Sequence, residues 1–285
     1  MSRSNVARLL VSCPDREGII ASLSSALRDA GANIISSDQY SSDPTGGSFS
    51  LRMEFYVPNP DDRFPDLQRR LAEIATQLEL DYKLIDSKRP KRVALFVSKY
   101  DHCLLDLLWR WRRNELDMEV VAVVSNHPDL REEVARFGVP YHHIPVSRET
   151  KAEAEQAQID LLAGEVELVV MARYMQILSA SFLANIGAPV INIHHSFLPA
   201  FAGAGPYQRA HDRGVKLIGA TAHYATEDLD EGPIIEQDVV RVNHRYDAAG
   251  LERVGADVER LVLARAVAWH LEDRVLLQGH RTIVF

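Results

Sequence analysis

The chain of 285 residues has room for about two domains of ordinary size, and its 46% apolar and 25% charged residues are the proportions of a packed globular protein, which excludes a disordered or fibrous one. With 32 Lys and Arg against 40 Asp and Glu the net charge is −8, so a nucleic-acid partner is not expected. Cys13 and Cys103 are too few for a disulfide framework or a thiolate zinc cluster and fit a reducing compartment, while no long apolar run marks an export signal or a membrane span; the expected location is the cytoplasm.

From the N-terminus, residues 7–12 read as a strand, and Asp15 to Gly18 lead into an apolar-periodic segment, Ile19, Leu23, Ala26 and Leu27. This predicts a helix that stops at Gly31, a residue suited to the position just past a helix end. Two strands follow, 33–40 and 49–57, joined by the turn-forming run 43–47. A second helix through Leu67, Leu71, Ile74 and Leu78 leads to a last strand over 81–85. The order is βαββαβ, the ferredoxin-like plan. The charged stretch 86–91, interrupted by Pro90, then reads as a linker between a first domain over 1–85 and a second over 92–285.

Past the linker, strands alternate with helices. Strands are predicted over 92–97, 118–124, around Ile144, over 168–171 and 189–193; helices over 104–111, 129–137, 152–162 and, near the end, 248–271. Such alternation implies a mainly parallel sheet covered on both faces.

The run 190–199 is the most informative for chemistry. Side chains alternate along a strand, so Asn192 and His194 share one face while Ile191 and Ile193 take the other. The C-terminal ends of parallel strands are where open α/β sheets place their ligands. Downstream, 216–224 reads as a further strand, and Glu227, Asp228, Asp230 and Glu231 fill a loop ended by Gly232 and Pro233. Most of these acids read as a solvated turn. Asp230 differs only if the loop folds back onto His194, since a carboxylate beside an imidazole favours the protonated ring and can exchange protons with a substrate.

Asn192-Ile193-His194 with Ser196-Phe197-Leu198-Pro199, followed by Leu229-Asp230-Glu231-Gly232-Pro233, resembles the catalytic signature of the folate-dependent formyltransferases. The resemblance implies that Asn192, His194 and Asp230 surround a formyl carbon. Within that family His195, the segments 197–201 and 203–204, Pro206, Tyr207 and 219–224 resemble the branch that hydrolyses 10-formyltetrahydrofolate, releasing formate and tetrahydrofolate for one-carbon and purine metabolism. Residues 1–85 resemble an ACT regulatory domain, whose Asp-x-x-Gly-Ile turn is here Asp15 to Ile19. The implied fold is α/β, a ferredoxin-like ACT domain followed by a Rossmann-like formyltransferase domain with a mainly parallel sheet.

By the same resemblance Met175, Gln176, Ile177 and Leu178 line the folate pocket, with His223 as a neighbour, and an amino-acid effector binds near Asp15, Gly18, Ile19 and Asn33. The folate is itself the substrate, no other cofactor or metal is expected, and the ACT unit implies a homo-oligomer. Residues 98–103 lack the glycines with which transferases acting on glycinamide ribonucleotide cradle a phosphate, which points away from a nucleotide acceptor, and no tRNA-binding domain is expected after the last helix. The small residues of 201–206 leave the shape of that loop open. Alternative readings are formyl transfer to an amine and a catalytically silent amino-acid sensor. His142 and His143 diverge on a strand and suggest no metal, and the basic run 109–113 is assigned no function.

Overall fold

The strict alternation of buried and part-buried residues in β1 (Val6–Pro14) turns Ala7, Leu9, Val11 and Cys13 to a core that α1 (Ile19–Asp29) covers with Ile19, Leu23, Ala26 and Leu27. The computed structural model describes residues 5–43, 45–199 and 205–285; most of the small-residue loop singled out in the sequence, 201–204, lies outside them. β2 (Asn33–Ser41), β3 (Ser48–Tyr56), α2 (Pro60–Leu78) and β4 (Asp81–Asp86) complete the first βαββαβ unit. Its sheet has the order β2-β3-β1-β4, every pair antiparallel.

Gly31, at φ 69, ends the first helix as expected, and the next amide, Ala32 N–H, donates back to Leu27 O. The second helix starts earlier than its apolar period suggests. Pro60 occupies its first turn, where a missing N–H is harmless, and Asp61 and Asp62 follow in place of an apolar stripe.

The second unit contains β5 (Lys91–Val97), α3 (His102–Arg112), β6 (Met118–Ser125), α4 (Arg131–Ala135), β7 (Tyr141–His143), α5 (Lys151–Leu162), β8 (Leu168–Met171), α6 (Ala180–Asn185) and β9 (Val190–His194). It continues with α7 (Pro206–Arg213), β10 (Leu217–Tyr224), β11 (Ile234–Arg241) and α8 (Ala248–Leu271). The sheet order is β11-β10-β9-β8-β5-β6-β7, parallel from β9 through β7 and antiparallel at β10 and β11. All four residues of β8 are buried, as a central parallel strand requires. The chain leaves β5 towards β6 and β7 and then returns to the other side for β8 and β9, so a crevice opens at the C-terminal ends of β5 and β8.

A short strand pair, β12 (Val275–Gln278) with β13 (Arg281–Val284), ends the chain. Compact contacts group Asp273–Gln278 and Ile283–Phe285 with the first unit and Lys91–Glu272 with Gly279–Thr282 as the second, so the C-terminal residues are shared where a continuous stretch to 285 is expected. One cause is visible in Arg8, whose Nη1 pairs with Asp273 Oδ2 at 3.0 Å. Among the described residues no helix is long and apolar enough to cross a membrane.

Candidate active site

The loop after β8 is pinned to its surroundings by main-chain and buried polar bonds. Ala172 N–H donates to Phe96 O at 2.8 Å and Ser98 N–H donates to Arg173 O at 3.2 Å. Ser98 Oγ donates to Asn126 Oδ1 at 2.7 Å and accepts Met175 N–H at 2.9 Å. Tyr174 accepts from Gln158 Nε2 at 3.0 Å and lays its ring edge-on against Phe96, while Ser179 N–H donates to Glu155 Oε1 at 3.0 Å. With the main chain so held, Met175 and Ile177 keep 51% and 56% of their surface exposed. Large apolar side chains held out by a rigid loop form a surface for a ligand rather than for a core.

The polar residues that anchor this loop are not legible as site residues. Glu155 and Gln158 stand on the buried face of α5 between Ala154 and Leu162, and their signal is the interruption of an apolar stripe by two polar groups three residues apart.

β9 presents the next set. Asn192 lies opposite Met171 on one side and His223 on the other, and His194 lies opposite Thr221, so Asn192, His194 and His223 share one face of the sheet. His223 Nδ1–H donates to Tyr224 O at 3.0 Å, which leaves Nε2 to accept from Asn192 Nδ2 at 3.2 Å. Burial lowers the pKa of His223, in keeping with this neutral tautomer. The segment after β9 is held by Thr221 Oγ1, which donates to Ser196 O at 2.9 Å and accepts Leu198 N–H at 3.0 Å.

The acidic loop does fold back. Asp230 Oδ1 lies 3.2 Å from His194 Nδ1 and 3.9 Å from His223 Nε2. Burial pushes the Asp230 carboxyl up, but the hydrogen bond and charge of His194 outweigh it and hold the group below the usual carboxylate range. Asp230 adopts φ 61, a left-handed conformation that Asp tolerates better than most residues. Gly232 then passes so close to β10 that a Cβ would stand 1.8 Å from Tyr224 O, and Tyr224 N–H donates to Pro233 O at 3.0 Å. The loop is thereby stapled to the strand beside His223.

Asn192, His194, Asp230, His223, Met175, Gln176, Ile177 and Leu178 all line one cavity of about 320 Å³. His194 is 5% exposed and lines this cavity, and its buried Nε2 has no hydrogen-bond partner among the described residues. His195 lines it too, its pKa pushed down to about 4 by burial and by the charge of Arg173. In the first unit, Asp15, Gly18 and Ile19 line a separate cavity of about 600 Å³ together with Arg16, Gln39 and Ser41; Asn33, which opens β2, is not among its lining residues.

The chain matches the formyl transferase family over residues 91–267 and the ACT domain family over residues 7–75. A formyltetrahydrofolate deformylase of Mycobacterium tuberculosis is 60% identical over 283 residues, 99% of this chain and 91% of the relative. One from Bacillus subtilis is 51% identical over 279 residues, 98% of this chain and 93% of the relative. The crystal structure of a formyltetrahydrofolate deformylase from Burkholderia mallei superposes with a TM-score of 0.91 at 44% identity, over 99% of both chains. The chain therefore belongs to the formyltetrahydrofolate deformylase family, an ACT domain followed by a formyltransferase domain.

Proposed function

We propose that Asn192, His194 and Asp230 carry out the reaction of this family in the chain, the hydrolysis of 10-formyltetrahydrofolate to formate and tetrahydrofolate. The observation that supports this reading is His194 itself: one ring nitrogen is held by Asp230, the other has no hydrogen-bond partner among the described residues, and the residue lines the cavity. Water adds to the formyl carbon and produces a tetrahedral oxyanion. Asn192, with its second amide N–H, and His194, through Nε2–H, donate to that oxygen from positions fixed before the reaction begins.

Asp230 stabilises the imidazolium and takes the proton of the attacking water. N10 receives that proton as its bond to carbon breaks, and the formic acid released ionises to formate. Every step is a proton transfer or a bond exchange, so the chemistry calls for no electron carrier, and the folate serves as substrate rather than cofactor. Its flat pterin fits the apolar wall of Met175, Ile177 and Leu178, with Gln176 beside them as a polar group.

The first unit gives the regulatory part of the reading. A small amino acid fits the cavity at Asp15, Gly18 and Ile19, where Asp15 already accepts a hydrogen bond from Ser41 Oγ. β2 is an edge strand with Ile34, Ile35 and Tyr40 exposed, a surface suited to pairing with another copy of the chain. Two free, buried cysteines fit a reducing compartment such as the cytoplasm.

His194→Ala and Asp230→Asn are each expected to lower kcat by roughly 10²- to 10⁴-fold, and the double variant to fall little below the worse single one. A double variant showing the full product of both losses contradicts a single proton-handling unit. Gly232→Ala should displace the loop that carries Asp230 and cost roughly 10² in kcat with an unaltered far-UV circular dichroism spectrum. Full kcat in that variant removes the positional role of the loop. Calorimetric titration of the full chain with small amino acids is expected to detect binding that Asp15→Ala abolishes, and light scattering to report more than one subunit; no binding, or a monomer, contradicts the corresponding reading.

A further inference from the structure

Next to the catalytic groups lies a second polar cluster that the hydrolytic steps do not use. Glu259 of α8 is 1% exposed, and burial pushes its carboxyl up, yet His102 Nε2 at 2.8 Å, Arg173 Nε at 3.4 Å and the Tyr207 hydroxyl at 2.5 Å together hold it below the usual range. Tyr207 reaches that carboxylate because residue 255 is glycine: a Cβ there would stand 1.9 Å from the Tyr207 hydroxyl. The ring of Tyr207 in turn backs His195, with centroids 6.0 Å apart. His102, Cys103 and Glu259 approach within 4.8 Å of one another, but both carboxylate oxygens are engaged and a guanidinium lies beside them, so the cluster suits a strut for Arg173 better than a cation site.

Arg173 is held at its main chain by Ser98 N–H, while its guanidinium, whose Nε and Nη1 make no hydrogen bond among the described residues, is placed by the ion pair with Glu259 and by a ring face. Its main chain sits at φ 65, its guanidinium carbon lies 4.7 Å from the centre of the Tyr100 ring, and the residue is 5% exposed. Among the described residues it is the one that lines both the cavity of about 320 Å³ containing His194 and a second of about 290 Å³ formed with Tyr100, His102, Arg253 and Glu259. Since one water occupies about 30 Å³, the second space has room for a small organic amine.

We infer that the Arg173–Glu259 pair is the partition that keeps this second space apart from the formyl carbon and restricts the acceptor to water. Arg173 is thus a specificity-determining residue, and the inference rests on the hydrolytic reading above. Swinging the guanidinium aside would leave the buried Glu259 carboxylate with only His102 and Tyr207 as partners, which is unfavourable.

The experiment supplies the intact protein with 10-formyltetrahydrofolate and a fixed high concentration of glycinamide, and separates formate from N-formylglycinamide by chromatography. The wild-type chain is expected to yield formate alone. Arg173→Ala combined with Glu259→Ala removes both charges and opens the partition, and the share of formyl group recovered on the amine should rise roughly tenfold or more. Tyr100→Ala, at an exposed position, unseats the guanidinium with both charges kept and should raise that share by less. An unchanged share in whichever of these variants fold overturns the partition. A folded double variant that yields neither product overturns it too, since the pair would then belong to the hydrolytic machinery. Wild-type protein that releases no formate would instead overturn the hydrolytic reading.

Discussion

The bond between His194 Nδ1 and Asp230 Oδ1 is the contact on which the remainder of the site depends. It joins the end of a buried parallel strand to an acidic loop that would otherwise belong to solvent. Three features of the chain serve it. β9 delivers His194 at its C-terminal end, β10 runs back antiparallel beside it, and Gly232 lets the following loop touch the main chain of that strand. The result is an imidazole that is oriented by a carboxylate on one nitrogen and has no hydrogen-bond partner among the described residues on the other, the arrangement that the proposed oxyanion contact uses.

The groups around this pair differ in charge although they are close in space. His223 and His195 are held neutral, the first mainly by burial and the second by burial together with Arg173, while Asp230 and Glu259 stay ionised against burial because each has a cationic or hydrogen-bonding partner. Two carboxylates therefore serve two ends. Asp230 lines the cavity of about 320 Å³ with His194, and Glu259 is engaged by protein partners beside Arg173.

Patterns of period two and 3.6 made the architecture legible: the apolar set of α1 predicts its buried face residue by residue, and the shared face of Asn192 and His194 follows from strand alternation alone. Contacts made by loops were not legible in that way. The approach of Asp230 to His194 came from the family resemblance, because no periodic signal ties a loop to a strand end. The helix expected over 129–137 shrinks to Arg131–Ala135, and α6, α7 and β11 are too short or too charged to show a period. Ser98, Glu155 and Gln158, which hold the loop after β8, are single polar residues in apolar surroundings, and the Tyr207–Gly255–Glu259 contact joins two helices whose own patterns do not refer to each other. Asp273 escapes for the same reason, since its partner Arg8 lies at the other end of the chain.

The central claim is that Asn192 and His194 donate to the formyl oxygen while Asp230 stands on the side from which water arrives. The most direct measurement is a crystal structure of the protein with a hydrolysis-resistant 10-formyl analogue of tetrahydrofolate. The formyl oxygen should lie about 2.7–3.1 Å from both Asn192 Nδ2 and His194 Nε2, with an ordered water between the formyl carbon and Asp230. A bound analogue whose formyl group lies beyond hydrogen-bond reach of His194 Nε2 would contradict the claim.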